Sequence, residues 1–135
     1  MKKDLDRLDK IFVYGALRAG TNFPYISVLS KNRIYTKATF IHAKLYNIDD
    51  KFPGIKLSDN KKDIVYGEIQ RFNNIDAVIK KLEGIEGYTP DKFRRKIIDA
   101  NILFCAPDAE KSIPVYVYEY NLDISNYKQM LNGLW

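Results

Sequence analysis

Cysteine is nearly absent: Cys105 is the only one, which rules out an intrachain disulfide and points to a reducing compartment. Histidine is as scarce. With His42 alone no two-histidine zinc site can be built. A serine triad would need that single imidazole as its base, and there is no Gly-x-Ser-x-Gly elbow for it to serve. Long hydrophobic runs are missing too. The charged stretch Met1 to Lys10 is followed by an apolar run from Ile11 to Tyr14 only, too short for a signal-peptide core or a membrane span. There is no Walker-type phosphate loop, and Gly15 to Gly20 lacks the spacing of a dinucleotide fingerprint, so no nucleotide cofactor is implied. The 22 Lys and Arg exceed the 17 Asp and Glu to give +5, but the charges are interspersed without a block of one sign. The short basic groups Lys61-Lys62, Lys80-Lys81 and Arg94-Arg95-Lys96 therefore read as solvated surface and not as a nucleic-acid footprint. A soluble, cytoplasmic protein without membrane or nucleic-acid partners is expected.

What is present is an ordinary globular composition. A chain of 135 residues with 46% hydrophobic and 29% charged side chains can bury a core unaided, and residues 1–135 are expected to form a single domain. Ten Tyr and seven Phe favour strands and a pocket with polar tips over a helical bundle. Ile11 to Tyr14 reads as a buried strand that runs into a loop from Gly15 to Pro24, with a short helix after it at Tyr25 to Leu29. Rough alternation of β-branched and aromatic residues from Arg33 to Asn47, then turns at Asp49-Asp50 and Pro53-Gly54 before a run at Ile55 to Leu57, predicts two or three strands. Ile64 to Phe72 predicts another strand, in which Gly67 leaves room for a backbone or a ligand to come close.

Ile75, Val78, Ile79 and Leu82 share one face of a helix, with Asn73 or Asn74 as N-cap and Gly84 at its exit. Phe93 to Ile98 and Ile102 to Phe104 predict a hairpin through Asp99 to Asn101. Ile113 to Tyr120 alternates as a long strand does, with Pro114 at its start or on an edge. The sum is an α+β domain: a mixed, strongly curved sheet or small barrel of six or seven strands carrying one main helix and one or two short ones.

Two segments combine residues that could carry chemistry. A strand that stops at Gly15 lets successive N–H groups turn inward as a cradle for a carboxylate or a developing oxyanion, although an ordinary strand-to-loop turn would look the same. In Leu82-Glu83-Gly84-Ile85-Glu86-Gly87-Tyr88 a helix ends and two glycines bracket Glu86. Beside Ile85 and Tyr88 a carboxylate would lose hydration, so its pKa would rise toward the range useful for proton transfer. A Glu after a helix is also commonly a plain solvated residue. His42 and Cys105, in contrast, read as structural.

Together these segments resemble the gamma-glutamyl cyclotransferase-like superfamily, especially its AIG2-like and short bacterial members. Val13-Tyr14-Gly15-Ala16-Leu17-Arg18-Ala19-Gly20 is similar to the family's Tyr-Gly-Thr-Leu-Lys/Arg motif, and Phe52-Pro53-Gly54-Ile55 to its Tyr/Phe-Pro-Gly/Ala turn. Val65-Tyr66-Gly67-Glu68-Ile69 is similar to Val-x-Gly-Glu-Leu/Val, and Leu82 through Tyr88 to Leu-Asp-x-x-Glu-Gly-Tyr. Phe93-Arg94-Arg95 matches Tyr-x-Arg, and Val115 to Tyr118 the last strand. Ala16, Glu83 and Phe93 depart from the pattern.

The resemblance implies a barrel whose ligand cavity lies between the first loop and the Glu86 segment. It implies an enzyme without metal or cofactor that cyclises the gamma-glutamyl group of a small peptide or amine to 5-oxoproline. Glu86 would be the acid/base. Tyr14, Gly15, Ala16, Leu17 and Tyr116 would bind the substrate, with Arg18, Phe93 and Arg95 as further candidates, Arg95 preferably in a structural ion pair. The alternative is a non-catalytic small-molecule-binding or interaction module on the same fold.

Overall fold

The structure, a computed structural model, describes residues 8–14, 33–49, 52–84, 92–102 and 112–134. In chain order these form β1 (Lys10–Val13), β2 (Arg33–Ile41), β3 (Ala43–Ile48), β4 (Phe52–Leu57), β5 (Val65–Phe72), α1 (Ile75–Glu83), β6 (Phe93–Ile102), β7 (Ser112–Tyr120) and β8 (Lys128–Gln129). Five strands close a barrel in the order β1-β5-β2-β6-β7, and β4-β3-β8 make a separate three-stranded sheet. All neighbours in the barrel are antiparallel except β1 and β7, which run parallel with Ile11 opposite Tyr116.

The continuous apolar run in β1 has a direct cause: the strand is buried on both faces. Phe12 and Tyr14 join Ile41, Val65, Ile69, Ala100, Ile102, Val115 and Val117 in a cluster supplied by all five barrel strands. Ile11 and Val13 face the other way, into a second cluster with Phe72, Phe93, Tyr118 and Tyr120 that Ile75, Val78 and Leu82 of α1 cover. Alternation along β7 follows the same rule, sending Val115 and Val117 to one cluster and Tyr118 and Tyr120 to the other.

The α+β class and the barrel agree with expectation, but the strands number eight among the described residues and fall into two sheets. Three local readings are also corrected. Pro53-Gly54 is not a turn. Both residues lie within β4, paired with Asn47 and Tyr46, on the edge of the small sheet where a missing proline N–H is tolerated. The glycine there serves close packing: a Cβ on Gly54 would come within 3.0 Å of Tyr120 Cβ and Cγ.

Asp99 to Asn101 is not a turn either, because β6 continues through it, with Asp99, Ala100 and Asn101 paired to Pro114, Ile113 and Ser112. β8, unforeseen, is added to β3 and is fixed by a hydrogen bond from Met130 N–H to Leu45 O, 2.7 Å. The helix expected at Tyr25 to Leu29 lies outside the described residues.

Other local readings hold. Asn74 caps α1, its Oδ1 accepting from Ala77 N–H at 3.4 Å, and Gly84 closes the helix by donating to Lys81 O at 3.2 Å. Gly84 keeps a right-handed conformation (φ −90°), so the exit from α1 uses no left-handed residue. Pro114 lies exposed near the start of β7. At Gly67 a main chain does come close: a Cβ there would sit 2.2 Å from Val13 O.

Candidate active site

Three ends of described chain meet at one end of the barrel. Because β1 and β7 are parallel, Tyr14 at the end of β1 lies beside the C-terminal half of β7, and its hydroxyl donates to Tyr118 O at 2.7 Å. Because β6 and β7 are antiparallel, the start of β6 is there too, with Phe93 opposite Tyr120 and Arg95 opposite Tyr118. The C-terminus of α1 completes the set, since Leu82 packs in the same cluster as Tyr118 and Phe93.

Cross-strand pairing puts Arg95 and Tyr118 on one face of the sheet, and Glu83, the last residue of α1, meets both. Its Oε2 accepts from the Tyr118 hydroxyl at 2.9 Å and from Arg95 Nη1 at 2.5 Å. The guanidinium also lies over the Tyr116 ring, 5.4 Å from its centroid, which is two residues along β7 from Tyr118 and so on the same face. Burial, and then the hydrogen bond to Glu83, push the Tyr118 phenol well above its ordinary pKa, with Arg95 opposing. Tyr118 is thus a hydrogen-bond donor throughout the neutral range.

Of the residues singled out from sequence, Tyr14 is buried, with its ring stacked near Phe12 at 6.1 Å between centroids. Phe93 is a core residue under α1, edge-on to Tyr120 at 5.4 Å. Tyr116 is partly buried beside the same core, and Arg95 is ion-paired with Glu83. Gly15, Ala16, Leu17, Arg18, Glu86 and Cys105 lie outside the described residues.

Sequence reasoning missed Glu83 and Tyr118 as partners. The signal was the alternation in β7, which puts Tyr118 on a covered face where its hydroxyl needs a partner. His42 sits at the bend between β2 and β3, its Nδ1 3.2 Å from Asp63 O. It borders a cavity of about 300 Å³ with Leu57, Ser58, Asp59, Ile98 and Asp99.

Comparison with known proteins agrees with this architecture. The family model described as "Gamma-glutamyl cyclotransferase, AIG2-like" matches residues 11–135. The chain belongs to this family. Among solved structures, an AIG2-like protein from Mus musculus is 18% identical over 87% of this chain and 80% of its own, with a TM-score of 0.68. YkqA from Bacillus subtilis is 16% identical with a TM-score of 0.65; the match takes in 96% of this chain but only 40% of that one. A protein titled gamma-glutamyl cyclotransferase is 15% identical over 90% of this chain and 69% of its own, with a TM-score of 0.55. Identities this low speak to the fold alone. The search of curated proteins gave no match. Among the described residues no helix is long and apolar enough to cross a membrane.

Proposed function

We propose that this AIG2-like protein is a gamma-glutamyl cyclotransferase-type enzyme with Glu86 as its acid/base. The observation that carries the reading is the double tether on Tyr118, which holds the end of β1 through its main-chain oxygen and the end of α1 through its phenol. Gly15 follows directly on Tyr14, and Glu86 follows Gly84 by two residues, a reach of at most about 7 Å of chain. The two sequence motifs thus leave the barrel from neighbouring points, as a shared site requires.

In the proposed reaction the main-chain N–H groups of Gly15, Ala16 and Leu17 hold the end group of a gamma-glutamyl compound, with Tyr14 and Tyr116 as walls. Glu86 accepts a proton from the substrate's α-amino group. The amine nitrogen attacks the γ-carbonyl carbon and closes a five-membered ring. As the old C–N bond breaks, Glu86 returns the proton to the leaving nitrogen, giving 5-oxoproline and a free amine. The nucleophile is tethered to its electrophile, and such reactions reach effective molarities on the order of 10⁵ M or more when well oriented. One carboxylate and a set of oriented amides suffice for the proton transfers and the developing charge.

The test is to incubate the protein with a panel of gamma-glutamyl peptides and gamma-glutamyl amines and to assay 5-oxoproline. Turnover of at least one member is expected. The Glu86→Gln variant should fold normally and lose roughly 10³-fold in kcat, the scale of a general acid/base contribution. A protein that binds gamma-glutamyl compounds but releases no product from any of them would be a binding module on the same fold.

A further inference from the structure

Glu83 is in a locally unfavourable place. As the last residue of α1 it puts a carboxylate at the negative end of the helix dipole, where Lys80 and Lys81 are the favourable choices. A half-exposed ion pair with Arg95 adds little to stability by itself. Yet one oxygen of Glu83 gathers both the Tyr118 phenol and the Arg95 guanidinium, and the guanidinium lies over the Tyr116 ring. Local conflicts that are maintained by a specific set of partners are a mark of functional positions.

The geometry points to Tyr118 as a positioning residue that fixes the end of α1 against the end of β1, and with it the spacing between the catalytic carboxylate and the main-chain donors. This role rests on the reading of Glu86 as the acid/base. The residue makes the two connections by different groups. Its main-chain oxygen holds Tyr14, and its hydroxyl holds Glu83. Tyr118→Phe therefore loosens the end of α1, leaving Arg95 as the remaining partner of Glu83, and keeps the tether on β1 in place. A shift of about 1 Å between reacting groups costs on the order of 10²-fold in rate, so a loosened helix exit is felt in the chemical step before it is felt in binding.

The experiment combines kinetics with backbone amide exchange on Tyr118→Phe, Glu83→Ala and the double variant. Tyr118→Phe should lower kcat by roughly 10- to 100-fold with KM changed less than about threefold. In the Glu83→Ala background it should have no further effect, because the phenol acts through that carboxylate; a merely structural loss would add in full. Exchange at Gly84, whose N–H bonds to Lys81 O, should quicken about tenfold in either single variant. Should Tyr118→Phe fail to fold, the Glu83→Ala variant, altered at a partly exposed side chain, reads the same kcat loss and the same exchange. An active wild type in which the variants keep kcat, or keep Gly84 exchange unchanged, overturns the clamp and leaves the cyclotransferase reading intact. A wild type with no turnover on any gamma-glutamyl substrate overturns both.

Discussion

A Cβ placed on Gly67 would meet Val13 O at 2.2 Å and Phe12 Cζ at 2.7 Å, so one missing side chain sets how closely β5 can approach the end of β1. The obstructing atom is main chain, which cannot rotate aside. Gly67→Ala should therefore push the end of β1 outward at a cost of about 3 kcal/mol, the upper range for overpacking. In a domain of this size that lowers Tm by roughly 10 °C, readable by thermal unfolding monitored by circular dichroism. Since the first loop leaves from Tyr14, the same change should reduce turnover by more than its loss of folded protein explains. Tyr14 and Tyr118 show why residue identity matters here beyond burial: each hydroxyl has a partner at hydrogen-bonding distance, and each bond joins different elements of the fold.

At the scale of elements, α1 shows a helix decided by its own residues. Ile75, Val78 and Leu82 make the buried stripe, Asp76 lies in the first turn, Lys80 and Lys81 lie in the last, and Asn74 provides the cap. The capping bond is long, at 3.4 Å. Asn74→Ala should therefore cost about 0.5–1 kcal/mol, the lower part of the range for lost caps, seen as a reduced denaturant midpoint with an unchanged slope. β4 and β6 show the opposite case. Their Pro-Gly and Asp-Ala-Asn segments have turn composition, yet cross-strand pairing with β3 and β7 holds them extended. Turn residues state a local preference of a fraction of a kcal/mol to about 1 kcal/mol, and a continuous ladder with a buried face outweighs it.

At the scale of the whole molecule, Glu119 of β7 ties the small sheet to the barrel. Its Oε2 accepts from Leu57 N–H of β4 at 2.8 Å while Oε1 pairs with Lys96 of β6 at 2.7 Å. Lys56 Nζ adds a bond to Tyr120 O at 2.6 Å. Burial works to raise the Glu119 pKa, but the bonds from Lys96 and Leu57 outweigh it and leave the carboxyl below its ordinary value of 4.5. A group whose folded pKa is depressed stabilises the fold fully above its unfolded value, and that contribution is lost as pH falls through the folded one. Stability should thus decline on acidification below about pH 4.5, and Glu119→Gln should flatten this dependence and lower stability at pH 7 by about 1–2 kcal/mol. Urea unfolding at pH 7 and at pH 3.5 measures both effects.

The sequence by itself determined the class of fold, the helix with its cap and the buried first strand, because each is a pattern of neighbours a few residues apart; at Gly67 it left room for a backbone or a ligand, and the tertiary structure puts Val13 O there. It also carried the family, through motifs whose order runs along nearly the whole chain. Only the tertiary structure decided that the strands divide into a five-stranded barrel and a three-stranded sheet, that Pro53-Gly54 and Asp99 to Asn101 are extended, and that β8 exists at all. The same holds for Glu83, Arg95 and Tyr118, a cluster assembled from a helix end and two strands. Pairing and burial between distant segments supply several times the energy of any local preference. No window along the chain contains the partners that settle such positions.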